Sequence, residues 1–270
     1  MEQTLGSRMK EYEYVTRSYL TNRIPIIIRI DGKAFHKFTR GLDKPCDTIF
    51  MEAMKETAIE LCKQIQGTVM GYTQSDEISL VLMNTSNKNS ELWFNNNLSK
   101  IISVSASIAT LKFNSVFTRL GMVYEAENFQ GLNKRKYSDK YMSANFDSRA
   151  FNIPEEEIIN YFIWRQRDCQ KNAVNSAART MFSHKQILGL NQKQLKEKMS
   201  IDKKIDFDEC YANAFKNGIT VIKEQKRRVG YDNFGKECLT ISNQWVEKNG
   251  TIIFETDRDE IGKYLESMKK

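Results

Sequence analysis

Residues 26–36 read IIIRIDGKAFH, and the rest of the chain is expected to build around this stretch. A run of β-branched residues follows Pro25 and stops at Asp31 and Gly32, a pattern typical of a buried strand that ends in a turn. A carboxylate at the end of such a strand needs a partner, and a divalent cation is the strongest one available. Glycine lets the backbone carbonyl approach an ion or phosphate closely. The pattern therefore predicts either a metal-binding turn or an ordinary Asp-Gly turn.

A second stretch favours the metal-binding alternative. Residues 69–82 read VMGYTQSDEISLVL, which predicts a hairpin with residues 75–77 at its tip. A predicted helix over 47–64 connects it to the first strand, so the strands are expected to share one sheet. Asp31 and Asp76 would then face each other, and two close carboxylates repel unless cations lie between them. Nucleotidyl transfer with two metal ions uses this arrangement.

Short motifs extend the pattern over most of the chain, roughly residues 5–230. They are Arg29-Ile30-Asp31-Gly32, Phe35-His36, Lys44-Pro45, Gln74-Ser75-Asp76-Glu77, Ser99-Lys100, Phe146-Asp147-Ser148-Arg149, Trp164-Arg165-Gln166 and Asp168-Cys169. In this order the motifs resemble the tRNA-histidine guanylyltransferase family, and in particular its 3′-to-5′ polymerase-like branch. The resemblance implies an α/β fold of the α+β kind, in which helices pack on an antiparallel-rich, polymerase-palm-like sheet related to nucleotidyl cyclase cores. We expect a palm-like catalytic domain over 1–140 and a helical and β region over 141–270 that completes the fold and contacts tRNA.

The resemblance also implies roles for individual residues. Two magnesium ions would be held by Asp31, Asp76 and the backbone carbonyl of Gly32, a sparse set that suits Mg²⁺. The catalytic residues would be Asp31, Asp76, Glu77 and Lys44, with Lys44 acting in activation of the tRNA 5′ end. The residues expected to bind a nucleoside triphosphate are Asp31, Gly32, Lys33, Ala34, Phe35, His36, Ser75, Asp76 and Lys100.

In the implied reaction the 5′ end of a tRNA is first activated, usually by adenylylation with ATP. The 3′-hydroxyl of an incoming nucleotide, GTP or another nucleoside triphosphate, then attacks it. Two alternatives from other classes are a nucleotide cyclase and a non-catalytic RNA-binding protein. Lys44 and the motifs after residue 146 argue against the cyclase. The acids Asp31, Asp76 and Glu77 argue against the non-catalytic RNA-binding protein, because a protein that only binds RNA has no need of clustered acids facing a polyanion.

The chain departs from the eukaryotic members of the family at two places. Their His-Ile-Asn-Asn-Leu-Tyr-Asn run is replaced by Gln-Lys-Asn-Ala-Val-Asn-Ser at 170–176, and two arginines before the Ser-Lys pair are replaced within Asn95-Asn96-Asn97. Asparagine cannot reproduce the bidentate phosphate contacts of arginine. The sequence therefore predicts templated repair of 5′-truncated tRNA, with addition of an unpaired guanosine to tRNA-histidine as the alternative.

Composition and charge fit an RNA partner. There are 41 lysines and arginines against 34 acidic residues, a formal net charge of +7. The clusters expected to contact tRNA are Lys134, Arg135, Lys136, Lys226, Arg227 and Arg228. Five cysteines without Cys-x-x-Cys spacing and two histidines argue against a zinc site and favour a reducing, cytoplasmic setting. No signal peptide and no apolar run of bilayer length is expected, and the resemblance implies a homotetramer.

The remaining elements follow from periodicity and turn signals. An amphipathic helix is expected within 1–23, helices over 99–114 and 154–181, and a capped helix from Asn191. Irregular structure is expected over 120–145, with a short strand at 141–146. Another helix is expected at 202–217 and a strand at 219–222. A hairpin of 239–246 and 251–255 would precede a terminal helix over 260–270.

Overall fold

The computed structural model describes residues 3–83, 92–128, 137–231 and 236–269. The strands of the described part are β1 (Ile26–Gly32), β2 (Thr68–Gln74), β3 (Glu77–Leu82), β4 (Phe146–Asn152), β5 (Ile219–Tyr231) and β6 (Glu237–Glu247). They form one sheet in the order β4-β1-β3-β2-β5-β6, and every neighbouring pair is antiparallel. The predicted α+β class with an antiparallel-rich sheet is confirmed.

Helices cover both faces of this sheet. They are α1 (Leu5–Tyr14), α2 (Phe35–Phe38), α3 (Thr48–Gln64), α4 (Leu98–Glu127), α5 (Ile158–Met181), α6 (His184–Ile187), α7 (Gln192–Lys203), α8 (Phe207–Cys210), α9 (Asn213–Asn217) and α10 (Arg258–Ser267). Three 3-10 turns lie at Trp93–Asn96, Ser138–Lys140 and Glu155–Glu157.

The first strand is buried because it pairs on both sides and is covered on both faces. Ile28 and Ile30 pack with α3 and α4, whereas Ile27 points to the other face, with α5 and α10. Successive side chains of a strand alternate between faces, so Arg29 and Asp31 share the α5 face with Ile27. Asp31, the only carboxylate of this buried strand, therefore lies at the edge of the core.

Helix α4 is longer than predicted. The expected end at residue 114 is wrong, because Phe113, Val116 and Phe117 continue the buried face of the helix into the region expected to be irregular. By length and composition α4 could cross a membrane, contrary to the expectation that no such apolar run exists. Its apolar side, however, forms part of the core beneath the sheet.

Several other boundaries are corrected by tertiary pairing. The strand expected at 141–146 lies at Phe146–Asn152, where β4 pairs with β1. The predicted hairpin of 239–246 with 251–255 is wrong, because β6 pairs with β5 and residues 251–255 form no strand. Ile252 and Phe254 instead bury their side chains against α5 and α10.

Three expectations about helices also have clear outcomes. The single helix expected over 202–217 is wrong, because two short helices, α8 and α9, occupy that range. The helix expected within 1–23 covers only Leu5–Tyr14, and none of its residues is buried. The capping box of Asn191 with Gln194 at the start of α7 is confirmed.

The division near residue 140 stays a prediction. The sheet takes β1, β2 and β3 from the first predicted range and β4, β5 and β6 from the second. Residues 134–136 lie outside the described residues, as do the side chains at 227 and 228.

Candidate active site

Two acids meet where β1 ends and the β2–β3 hairpin turns. Asp31 is the last residue but one of β1, and Asp76 lies in the two-residue turn between Gln74 and Glu77. The backbone N–H of Gly32 donates to the Asp76 carbonyl oxygen at 3.0 Å, which joins the two turns. The prediction that the two acidic stretches come together is confirmed.

The electrostatics of this pair favour a bound cation. Burial raises the pKa of Asp76, and the charge of Asp31 raises it further. Burial and then the charge of Asp147 raise the pKa of Asp31, while Arg149 and Arg29 oppose this. Both carboxylates are therefore more costly to ionise than in water, and a divalent cation between them would reverse that cost.

The donor set fits magnesium. Over the described residues, no three histidine, cysteine or carboxylate side chains gather into a metal-ligand cluster. Magnesium is usually held by one or two carboxylates, with substrate phosphates and water completing its shell. Asp31 and Asp76 supply such a pair of hard oxygen ligands. A Cβ added to Gly32 would lie 2.4 Å from the Phe35 ring, so only glycine fits at this turn.

Glu77 has a different environment from the other two acids. Its carboxylate accepts from Arg165 Nε at 2.7 Å and from Arg165 Nη2 at 2.6 Å, and both side chains are 9% exposed. Arg165 Nη2 also donates to Asp168 at 3.1 Å. The Glu77 carboxylate therefore faces α5, and its predicted catalytic role stays a prediction.

A cleft of about 1290 Å³ opens beside the Asp76 turn. One side carries Gly32, α2 and the segment from Asp43 to Met51, and the other carries α5. Small-molecule pockets usually measure roughly 300–1,000 Å³, so this cleft has room for a nucleotide and part of a second substrate. The α5 residues that line it are Cys169, Lys171, Asn172, Ala173, Asn175, Ser176, Arg179 and Thr180.

The turn after β1 presents backbone amides to this cleft. Ala34 has a left-handed backbone (φ 57°) and precedes α2, and no side chain of the described residues caps that helix. The first amides of any helix lack partners within it. Ala34, Phe35 and His36 all line the cleft, so their amides can donate hydrogen bonds to an anionic oxygen bound there.

Comparison with known proteins fits this geometry. The family model described as Thg1, tRNAHis guanylyltransferase, matches residues 6–154, more than half of the chain. The chain belongs to the Thg1 family. It is therefore a nucleotidyltransferase of that family, and the resemblance seen in the motifs is confirmed.

Individual Thg1 relatives match over different lengths. A bacterial tRNA(His) guanylyltransferase (Thg1)-like protein in complex with ATP is 37% identical, with a TM-score of 0.78, covering 97% of this chain and 98% of that chain. A bacterial Thg1-like protein in complex with GTP is 35% identical, with a TM-score of 0.74, covering 96% and 98%. A probable tRNA(His) guanylyltransferase of Dictyostelium discoideum is 34% identical over 169 residues, 60% of this chain and 59% of the relative.

The structure brings most of the Thg1-type residues to one place. Those lining the cleft are Gly32, Ala34, Phe35, His36, Lys44, Ser75 and Asp76. Ser75 Oγ donates to the Asp76 carboxylate at 3.1 Å. Asp31 and Lys33 are not among the lining residues, and the amide of Lys33 donates to the Asn145 carbonyl at 2.9 Å. Asp147 and Arg149 of the Phe146–Arg149 motif form an ion pair at 3.3 Å.

Lys100 is not brought to the cleft. It lies in the first turn of α4, and its Nζ stands 5.8 Å from the centroid of the Phe94 ring. Five residues later, Ser105 donates to Ser148 of β4 at 2.8 Å, and α4 packs on the face of the sheet opposite α5. Asn97 caps α4 by accepting from the Lys100 amide at 3.1 Å, so one asparagine of the Asn95–Asn97 run has a local structural function.

The site also contains residues that the sequence did not assign. Lys171, Asn175 and Arg179 follow one another at four-residue spacing on α5 and face the cleft. That spacing is visible in the sequence, but it marks a functional face only once α5 is placed against the turn. Gln74 lines the cleft as well; it is 6% exposed, and its Oε1 atom has no hydrogen-bond partner within the described part of the chain.

Proposed function

We propose that this protein is a magnesium-dependent nucleotidyltransferase that adds nucleotides in the 3′-to-5′ direction to the 5′ end of tRNA. The observation that carries the proposal is the pair of mutually repelling carboxylates, Asp31 and Asp76, of which Asp76 lines a large cleft. Such a pair is the minimum protein contribution to a nucleotidyl-transfer site. The family membership supplies the direction of transfer and the tRNA substrate.

The nucleotide would occupy the cleft beside α2. Support comes from the amides of residues 34–36 and from the similar bacterial proteins solved with ATP and with GTP. The amides would hold phosphate oxygens, as helix N-termini do. Asp31, Asp76 and the Gly32 carbonyl would hold magnesium, which when bound would acidify the attacking hydroxyl and balance phosphate charge.

The chemistry divides into two balanced steps. Activation joins the RNA 5′ phosphate to the α-phosphate of ATP and releases pyrophosphate. The 3′-hydroxyl of the incoming nucleotide then loses its proton and attacks the 5′ phosphorus, and AMP leaves. Lys44 lies on the cleft wall, where a lysine would attract the phosphates of the RNA end.

The experiment that tests this function uses the full chain with magnesium, ATP, labelled nucleotide and a series of 5′-truncated tRNAs. Labelled RNA extended at its 5′ end is the expected product. Cyclic nucleotide formed without RNA would instead identify a cyclase. RNA binding without any product would identify a non-catalytic binder.

The RNA strand would run along α5. Lys44, Lys171 and Arg179 place three cations around the cleft, and none of them has a carboxylate within 4.0 Å among the described residues. Phosphates attract such cations and release counterions on binding. The basic clusters predicted at 134–136 and 226–228 remain additional candidates for tRNA contacts.

Substituting α5 cations should change the salt dependence of tRNA binding. We expect Lys171→Ala and Arg179→Ala each to reduce the slope of log Kd against log salt by about 1, because each removes one phosphate contact. Fluorescence anisotropy with labelled tRNA measures this. Lys193→Ala, on the exposed face of α7 beside Glu197, serves as the control. Unchanged slopes in both α5 variants would place the RNA elsewhere.

Templated repair is the activity we propose over addition of an unpaired guanosine. Asn172 and Asn175 line the cleft where eukaryotic relatives have a different run, and base pairing would then supply the selection of the nucleotide. We expect a higher kcat/KM for a 5′-truncated tRNA than for non-templated guanosine addition to tRNA-histidine, under the same magnesium and ATP. The reverse order would establish the guanylyltransferase activity in its place.

Two further properties remain proposals that follow from the family and the sequence. A homotetramer is expected, and light scattering at working concentration would measure it. A cytoplasmic setting fits Cys46, Cys62, Cys169 and Cys210, which are all free thiols.

A further inference from the structure

Gln74 carries an unused hydrogen-bond acceptor at the cleft. It is the last residue of β2, its side chain is 6% exposed, and its Oε1 atom has no partner among the described residues. Buried amide oxygens without a partner are rare in folded proteins because each one loses its hydration without compensation. The same side chain lines the cleft beside Asp76. An unpaired acceptor in that position indicates a donor on the bound ligand.

The surrounding protein donors are already engaged. Tyr72, two residues earlier on the same face of β2, donates its hydroxyl to the Asn217 carbonyl at 2.9 Å. Gln166 Nε2 donates to that carbonyl at 3.0 Å and to the Ile252 carbonyl at 2.7 Å. The Cys169 thiol points to the carbonyls of Phe215 and Lys216. None of these three side chains offers Gln74 a free donor, and a ligand bound in the cleft can supply the missing one.

We propose that Gln74 Oε1 accepts a hydrogen bond from a ribose hydroxyl of the nucleotide in the cleft, an inference that rests on the proposed function. The bases of ATP and GTP differ at position 6, where one carries an amino donor and the other a carbonyl acceptor. A fixed acceptor that serves both nucleotides must meet a donor that both possess. The ribose hydroxyls are such donors, and Asp76, two residues away, places Gln74 near the reacting end of the nucleotide.

Binding without RNA tests this contact directly. Calorimetry in magnesium buffer would give Kd values for ATP, 2′-deoxyATP and 3′-deoxyATP with the wild-type chain and with Gln74→Met. We expect the wild type to bind one deoxynucleotide about tenfold more weakly than ATP, the usual order when a buried polar group loses its partner. Gln74→Met should bind ATP about tenfold more weakly than the wild type and should not distinguish ATP from either deoxynucleotide.

A stability measurement separates binding from structure. Removing an unpaired buried acceptor should leave the Tm of the ligand-free protein unchanged or raised, whereas a structural glutamine would lower it. Gln170→Met is the matched control, because Gln170 donates to Asn217 at 3.0 Å and does not line the cleft. It should keep the wild-type affinities for all three nucleotides.

Three results would overturn the inference. One is a wild-type protein that binds ATP and both deoxynucleotides equally, a result that needs no variant. Another is a folded Gln74→Met that keeps the wild-type preference for the ribose. The third is a wild-type chain that binds no nucleotide at all, which would overturn the proposed function together with this contact. Only the first two leave the proposed function standing.

Discussion

Asp76→Ala is expected to lower nucleotide addition at least about 100-fold, which corresponds to about 2.7 kcal/mol of transition-state stabilisation. Asp31→Ala should have an effect of the same size. Each change removes one of the two carboxylates proposed to hold magnesium, and neither leaves a replacement oxygen ligand. Single-turnover assays at saturating RNA and nucleotide, over a range of magnesium concentrations, would measure the loss.

Stability should respond differently from activity. The pKa of Asp76 is raised by burial and by the charge of Asp31, so removing either charge relieves repulsion in the metal-free protein. We expect Tm values at or above that of the wild type. The double variant should be no slower than the worse single variant, since residues that act as a unit are not additive.

The control for these variants is Asp259→Ala, which removes an exposed acid in the first turn of α10. It should retain wild-type activity. Near-normal activity in either Asp31→Ala or Asp76→Ala would contradict the metal assignment.

Arg165→Met is expected to lower the free energy of unfolding by about 3–5 kcal/mol, the range found when one partner of a buried ion pair is removed. The variant would leave the Glu77 carboxylate buried without its two hydrogen bonds of 2.6–2.7 Å. Chemical denaturation followed by circular dichroism would measure the change. Activity should fall too, because Glu77 directly follows Asp76 and pairs with Asp31 across the sheet.

Two further variants show whether the pair itself is responsible. Glu77→Met combined with Arg165→Met should recover most of the lost stability, because both charges of this buried ion pair are then removed. Arg167→Met, two residues along α5, removes an exposed ion pair with Glu255. Its free energy of unfolding should stay close to that of the wild type. Equal destabilisation by Arg165→Met and Arg167→Met would show that the buried pair has no special role.

Local patterns in the sequence were sufficient to predict β1, the β2–β3 hairpin and the helix between them. The β-branched run after Pro25 and the alternation of Ile78, Leu80 and Leu82 depend only on neighbouring residues, and both strands form as expected. The family motifs likewise placed Asp31 and Asp76. Because both acids lie at the ends of well-predicted strands, their meeting followed from connectivity alone.

Tertiary structure alone decided which partner each polar side chain found. Glu77 is adjacent to Asp76 in sequence, but strand alternation and the packing of α5 direct it to Arg165, 88 residues away. Lys100 begins a helix, as predicted, yet it does not line the cleft, because that helix packs on the face of the sheet opposite α5.

The same limit explains the errors in the C-terminal third. Between the two ranges of the predicted hairpin, 239–246 and 251–255, Gly250 does have a left-handed backbone with φ +81°, but β6 pairs with the longer strand β5. A turn signal fixes a change of direction over a few residues. The choice between strand partners depends on the area that each pairing buries, and that area exists only in the folded chain.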